Sequence, residues 1–498
     1  MRFFKEYILK DKIFKNWQIL LILMVSLCLR LYHLGYHDFW YDEIGTVDYA
    51  QHPWNNWNAP FYWILLHFWI KVFKISEFGL RFPSLVFSFF SIILVFLIGK
   101  RLFNKKAGLL ASIFMGLSPF HIWYAQEARD YSMLLFWGTL SSWLLLKAIK
   151  KQRLKSWVIF TMVSIAGFYT NYFYTFLFVA HIIFVVTFFK RLKLKLKNLI
   201  PFFVVSLCFS LYLNRFLGKF FSVWQGFWIP EPEVRSLVIT IENFILGYNA
   251  NFPSYLIVSI LIAVFFTIVI IKLKDIRFRP AIVFCLYLFL TPIVLAFLFS
   301  KTFFSVYLDR GLIVTSPYFY LILSFGVFSL NKRYLRTGSL VILFSLICIA
   351  LYGYYMDWMP TSSFHYTGVH LKKSIKPVVK FIEDELRVRD RIVFTNESVL
   401  PSFRFYSPQE RSFHFLFVPG EAFDPFSQRP VYENRYYLST YNLRDFEFDR
   451  LWVISCDWSR DGSLDGNSQA VKDFLDRNFR LQFIREFDGL WVFRYDTF

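Results

Sequence analysis

Apolar residues dominate this chain in long runs, and the polar segments between the runs alternate in character. A helix needs roughly 20 such residues to cross the ~30 Å hydrocarbon layer of a bilayer. Runs of about that length are expected as spans at 16–34, 80–98, 108–124, 131–149, 156–172, 174–189, 199–216, 254–271, 281–300, 311–330 and 338–356. Residues 61–74 (FYWILLHFWIKVFK) are apolar but short and carry Lys71 and Lys74, which suits a helix lying in the interface. Every other loop is strongly basic, for example Lys100, Arg101, Lys105 and Lys106, or Lys190, Arg191, Lys193, Lys195 and Lys197. The positive-inside bias then sets the N-terminus in the cytoplasm. After an odd number of spans the C-terminal part lies outside.

Residues 358–498 have a different pattern, with dense charge and mixed periodicity. Residues 369–388 are expected to contain a helix, RIVFTN and LWVISC strands, and SQAVKDFLDRNF an amphipathic helix. RLQFIREF and LWVFRYD are expected to form a hairpin across Asp488-Gly489. The fold expected is a polytopic α-helical membrane protein of about 11 spans, residues 1–357, with a C-terminal extracytoplasmic α/β domain, residues 358–498. The membrane part includes a first outer loop, 35–79, with the interfacial helix.

Composition agrees. The chain is 56% apolar and 18% charged, with too little polar surface for a soluble protein of 498 residues. The net charge of +20 sits mostly in clusters between apolar runs. That placement fits loops facing anionic lipid and excludes a nucleic-acid groove. Four of the five cysteines fall in apolar runs, so the tail, with Cys456 alone, has no internal disulfide. Cys/His spacing for structural zinc is missing, and so are HExxH, GxSxG and a Gly-rich phosphate loop. The site at the basic N-terminus lacks a small-residue cleavage signal after the first run, so that run is read as a retained span.

Acids and polar aromatics gather in the other set of loops, at 35–60, 121–131, 217–253 and 301–310. The first reads YHDFWYDEIGTVDYA. Its adjacent carboxylates, Asp42 and Glu43, suit a general base with a helper and also admit a divalent cation. The plainer reading is a helix N-cap at Asp42. The second loop supplies Glu127, Arg129, Asp130 and Tyr131 at a span end, where Arg129 can fork onto a phosphate or simply pair locally. Tyr307 and Arg310 lie before the tenth span, and Lys219 follows the seventh. Outward-facing cations run against the usual charge bias, which marks them as phosphate ligands or as snorkelling residues. His37 is a candidate substrate-site residue beside the acids, although isolated histidines are more often structural. No residue is assigned as a metal ligand.

The stretch from Trp40 to Leu146 resembles bacterial glycosyltransferase family 39, the protein O-mannosyltransferases, with the aminoarabinose transferases nearby. The matching elements are YDEIGTVDYA, NAPFYWILLHFWIKVF, SEFGLRFPSLVFSFFSIILVFLIGKRLF and GLLASIFMGLSPFHIWYAQEARDYSML, then YLDRGLIVTSPYFYLIL and the terminal FIREFDGLWVFRYD. The resemblance implies a GT-C fold, a polyprenyl-phosphate sugar donor and Asp42 as catalytic base with Glu43 in support. Arg129 and Arg310 occupy arginine positions of the pattern, and phosphate binding is inferred for them, with Lys219 beside them. Two positions depart from it. Trp57-Asn58-Ala59-Pro60 stands where the family usually has an acid or histidine before Pro-Pro, so a metal site is not implied, and Gly45 replaces the arginine of the aminoarabinose transferases.

The expectation is an inner (plasma) membrane glycosyltransferase working at the outer face. It would move a sugar with inversion to a hydroxyl on protein, lipid or polysaccharide, with the surrounding membrane lipid as the other partner and without nucleic acid. No cofactor is required; a divalent cation is compatible. The alternative is a transporter or flippase of a polyprenyl-linked intermediate, and a third reading is an inactive scaffold. Charged or broken helices within the spans favour transport.

Overall fold

The computed structural model describes residues 17–54, 59–224, 229–360, 369, 372–396, 398–408, 413–418, 437–445, 447–456, 464 and 466–497. The basic N-terminal residues, Trp57 and Asn58 lie outside the described residues. Contacts group the chain into two units. One is Met1–Leu34, Tyr49–Trp224 and Ile229–Val369; the other is Gly35–Asp48, Gln225–Trp228 and His370–Phe498. A linear division at 357/358 assigns residues 35–48 to the membrane part, but their contacts group them with the C-terminal residues. The cause is polar pairing: Lys376 donates its backbone N–H to Asp38 at 2.8 Å, and the Phe39 N–H donates to the Tyr406 hydroxyl at 2.7 Å.

The membrane unit is helical. In chain order it holds α1 (Trp17–Leu31), the end of α2 (Tyr41–Gln51), α3 (Phe61–Phe73), α4 (Glu77–Leu102), α5 (Lys105–Leu117), α6 (Pro119–Ala125), α7 (Tyr131–Lys151), α8 (Leu154–Phe168), α9 (Tyr174–Thr187), α10 (Ile200–Ser210), α11 (Leu213–Trp224), α12 (Val234–Leu246), α13 (Phe252–Lys272), α14 (Arg279–Thr302), α15 (Ser316–Phe328) and α16 (Arg333–Tyr355). Among the described residues, six helices are long and apolar enough to cross a membrane, or seven if a bent pair counts as one span. The shorter apolar helices include α1, α3, α8 and α9. The last two fall on the expected hairpin 156–189, and α3 forms a helix over the short apolar stretch 61–74. Burial separates roles that hydropathy alone merges. The stretch Gly311–Phe328 is 94% buried in protein, whereas α13 and α16 are only 28% and 22% buried and present most of their apolar surface outward.

The expected span 108–124 is broken. α5 and α6 meet at 60° across Ser118-Pro119. A proline cannot continue the hydrogen-bond ladder, and the carbonyls it frees need donors inside hydrocarbon. Arg30 of α1 supplies them, donating to the Gly116 and Met115 carbonyls at 2.8 and 3.2 Å and to Ser88 Oγ at 3.0 Å. Gln126, just past α6, in turn donates to the Arg30 carbonyl at 2.9 Å. All of α6 is buried. The break therefore directs the chain inward, so that the QEARDY segment turns within protein. α4 and α5 cross closely: a Cβ on Gly108 would sit 2.7 Å from the Phe96 carbonyl oxygen, so only glycine fits there.

The C-terminal unit contains α17 (Lys376–Glu385), β1 (Arg391–Phe394), α18 (Leu400–Tyr406), β2 (His414–Phe417), β3 (Tyr437–Ser439), β4 (Arg450–Cys456), α19 (Gly466–Asn478), β5 (Arg480–Phe487) and β6 (Leu490–Asp496). The strand order is β3-β2-β1-β4-β6-β5, parallel from β3 to β4 and antiparallel beyond. Period-two alternation divides the core. Ile392, Phe394, Trp452, Ile454 and Val492 face Val378, Ile382 and Phe403, while Val393, Leu451, Val453 and Phe493 face Val471 and Leu475 of α19. The β5–β6 hairpin turns at Asp488 and Gly489, both at positive φ (50° and 74°), as the Asp-Gly pair predicts.

A buried ion pair ties β1 to β4. Arg450 Nε and a terminal nitrogen donate to Asp390 at 2.9 and 2.6 Å, and the Trp452 indole donates at 3.0 Å. Burial alone would raise the Asp390 carboxyl. The bonds from Arg450, Trp452 and the Arg387 N–H outweigh it and hold the group below the ordinary carboxylate range. Its contribution to stability is thus present above the unfolded carboxylate's pKa and is lost as pH falls through the lower folded value. Asp390→Asn leaves Arg450 without its counter-charge and is expected to destabilise this unit by ~3–5 kcal/mol. Hydrogen exchange at β1 and β4 should then speed up at pH 7, and the difference from wild type should vanish in strong acid.

Candidate functional site

The Asp-Glu pair lies in the first turn of α2, which begins at Tyr41, one residue earlier than the expected cap at Asp42. The Trp40 carbonyl accepts from the Glu43 and Ile44 N–H groups at 2.9 and 3.0 Å, and the Asp42 carbonyl accepts from the Thr46 hydroxyl at 3.1 Å. Both carboxylates therefore sit in the first turn, at the positive end of the helix dipole. Asp42 is half-buried. Glu43 is fully buried and pairs with Lys372 Nζ at 3.6 Å. His37 is half-buried and meets Tyr36 edge-on, with centroids 5.0 Å apart.

In the membrane unit, the turn between α6 and α7 carries Glu127, Arg129 and Asp130. Backbone bonds fix it: the Arg129 N–H donates to the Glu127 carbonyl at 2.8 Å, and the Arg129 carbonyl accepts from Ser84 Oγ at 3.0 Å. Asp130 is buried and accepts from Asn171 Nδ2 at 2.9 Å. Glu127 is buried as well. The Arg129 guanidinium lies 5.9 Å from the Tyr131 ring centroid and 5.7 Å from that of Trp63. Arg310, from a distant loop, also lies 5.9 Å from the Tyr131 ring. Two arginines more than 180 residues apart in sequence thus meet one aromatic ring. Both guanidiniums approach the same ring face or edge, in a region that also holds the carboxylates of Glu127, Asp130 and Asp309.

Arg310 is itself buried. Its neighbour Asp309 anchors it: Asp309 accepts from Asn243 Nδ2 at 2.7 Å, from the Tyr248 hydroxyl at 3.1 Å and from the Arg310 N–H at 2.7 Å. The Tyr124 and Tyr248 hydroxyls share a bond of 2.6 Å. Burial pushes the Asp309 carboxyl above the ordinary carboxylate range, while Asn243, Tyr248 and Arg310 pull it back. Tyr307 is buried and shares a 2.9 Å bond with Thr240, and burial raises its phenol.

Residues 52–214 match the dolichyl-phosphate-mannose-protein mannosyltransferase family. The crystal structure of ArnT from Cupriavidus metallidurans bound to undecaprenyl phosphate aligns with a TM-score of 0.60 at 11% identity, covering 96% of this chain and 98% of that one. The apo form of the same protein gives 0.58 at 11% identity, covering 97% and 98%. AglB from Archaeoglobus fulgidus gives 0.47 at 10% identity, covering 97% of this chain and 74% of that one. No curated protein matches the sequence. The chain has a GT-C-type membrane fold, and residues 52–214 carry the likeness to the mannosyltransferase family.

The family match, residues 52–214, includes Glu127, Arg129, Asp130 and Tyr131; Asp42, Glu43 and Arg310 lie outside it. Lys219 belongs to α11, and its side chain is outside the described residues. Among the described residues no cluster of three or more His, Cys, Asp or Glu side chains could hold a metal ion. The structure adds residues that sequence reasoning passed over: Trp63 beside Arg129, Asn243 and Tyr248 on Asp309, and Lys372 on Glu43. Asn243 sits on the buried face of a helix that also buries Ser236 and Thr240, and Lys372 lies in a run of tail lysines. Neither stands out from its neighbours in sequence.

Proposed function

We propose that the transferase moves a sugar from a polyprenyl-phosphate donor to an acceptor hydroxyl at the extracytoplasmic face of the plasma membrane. In this reading the N-terminus is cytoplasmic and residues 358–498 form an extracytoplasmic domain. The observation that carries it is the pair of guanidiniums, Arg129 and Arg310, against Tyr131. A phosphate monoanion or dianion leaving with a growing charge needs fixed cations of this kind. Asp42 takes the proton of the acceptor hydroxyl. The acceptor oxygen then bonds to the anomeric carbon, and the bond from that carbon to the phosphate oxygen breaks with its electron pair remaining on the lipid phosphate. One displacement inverts the anomeric centre. Glu43 supports Asp42. His37, Glu127, Asp130 and Tyr131 are assigned to the substrate region, with Lys219 as a further phosphate ligand. Tyr307 is assigned to the substrate region as well, its hydroxyl held by Thr240.

Transport without transfer has one structural observation in its favour, the broken α5–α6 pair. The carbonyls freed at that break are held by Arg30, which makes the break a fixed bend. Mass spectrometry of envelope glycans and lipids from a deletion strain tests the choice. The transferase reading predicts that one defined sugar disappears from one acceptor class, returns with the wild-type gene and does not return with Asp42→Asn. Restoration by Asp42→Asn would favour transport.

A further inference from the structure

Segment 35–48 precedes most of the membrane helices in sequence, yet its neighbours come from the far end of the chain. Three successive contacts are made. Asp38 accepts from the Lys376 N–H at 2.8 Å and pairs with Lys376 Nζ at 3.3 Å, at the start of α17. The Phe39 N–H donates to Tyr406 at the end of α18, and the Phe39 ring meets Phe405 edge-on at 5.6 Å. Lys376 also lies over the Tyr406 ring at 4.9 Å, which joins the first two contacts. The third is Lys372 Nζ with Glu43 Oε2 at 3.6 Å, where the side chains are 9% and 0% exposed.

The third contact differs in kind. At 3.6 Å it is a charge pair rather than a direct hydrogen bond. A carboxylate with no exposure is costly to keep ionised unless a cation is held beside it. The cation comes from a lysine whose own side chain is nearly buried, just before α17, which is itself fastened to Asp38. Loops are mobile unless tied down, and a base displaced by ~1 Å can lose up to ~100-fold in rate.

We propose that Lys372 is a positioning residue for the transfer reaction: it holds Glu43 as a buried carboxylate and so fixes the first turn of α2, and with it Asp42. The inference rests on the assignment of Asp42 as base. It gives the C-terminal unit a definite task, that of setting the catalytic turn through one ion pair and the two contacts beside it.

The test is kinetic, on the full-length protein in proteoliposomes with a polyprenyl-phosphate sugar as donor. Lys372→Met is expected to lower kcat ~10- to 100-fold and to leave the donor KM within about twofold of wild type. Lys372→Arg should restore most of kcat. If Lys372→Met does not fold, the comparison is between Glu43→Gln and the Glu43→Gln/Lys372→Met double variant, in which neither charge is left buried alone. The two should have the same kcat, because Lys372 acts only through Glu43. A double variant at least tenfold slower than Glu43→Gln overturns the inference, as does wild-type kcat in Lys372→Met. Asp42→Asn, run in parallel, separates the two levels. If it is inactive while Lys372→Met is unimpaired, only the positioning role falls; if it is as active as wild type, the functional reading falls with it.

Discussion

Asp42→Asn, inserted and folded like the wild type, loses ~10²–10⁴-fold in kcat, the range expected for a general base. The substitution keeps shape and hydrogen-bonding capacity and removes only the ability to accept a proton as the acceptor attacks. Donor KM should change little, since the amide contributes nothing to phosphate recognition. The first turn should also survive, because its backbone bonds run from the Glu43 and Ile44 N–H groups to Trp40 and involve no carboxylate. Measured against the Michaelis parameters of the wild type in the same vesicles, a fall in kcat alone identifies a group acting in the transition state. A rise in KM with unchanged kcat would instead make Asp42 a binding residue.

Arg310→Gln is the second large effect, with kcat lower by roughly 10²–10³-fold, the cost of removing one preorganised stabiliser of developing charge. Arg310 is buried, and Asp309, held by Asn243 and Tyr248, accepts its backbone N–H and so fixes the main chain there. Burial restricts the Arg310 side chain, so little reorganisation is expected as the phosphate departs. Arg310→Lys keeps the charge but loses the planar fork, so it should recover only part of the activity. Arg129→Gln should cost less, because Arg129 is half-buried and better screened by water. Kinetics of the three variants with one donor check the order; equal activity of Arg310→Lys and Arg310→Gln would show that charge at that position is not used.

Much of this arrangement could be read from the chain because it is local. Helices follow from apolar runs, so α4, α7, α13, α14 and α16 appear where hydropathy places them. The β5–β6 turn follows from Asp488-Gly489, and α19 from its amphipathic spacing. Non-local pairing is what the pattern does not record. β2 has four residues and β3 three, too short for an alternation to show, and they exist because each pairs with its neighbour. The meeting of Arg129 and Arg310 at Tyr131, and of Glu43 with Lys372, depends on segments brought together by the fold. Sequence marks each of those acids and arginines as a polar residue beside a span, and the partner is supplied by tertiary structure.

The most direct measurement follows both halves of the donor. Purified protein in vesicles receives a polyprenyl-phosphate sugar labelled in the sugar, together with an envelope extract as acceptor. The account predicts that label moves to the acceptor in inverted configuration, that free polyprenyl phosphate appears in equal amount, and that neither occurs with Asp42→Asn. Intact donor carried from one leaflet to the other, with no free lipid phosphate formed, would contradict it.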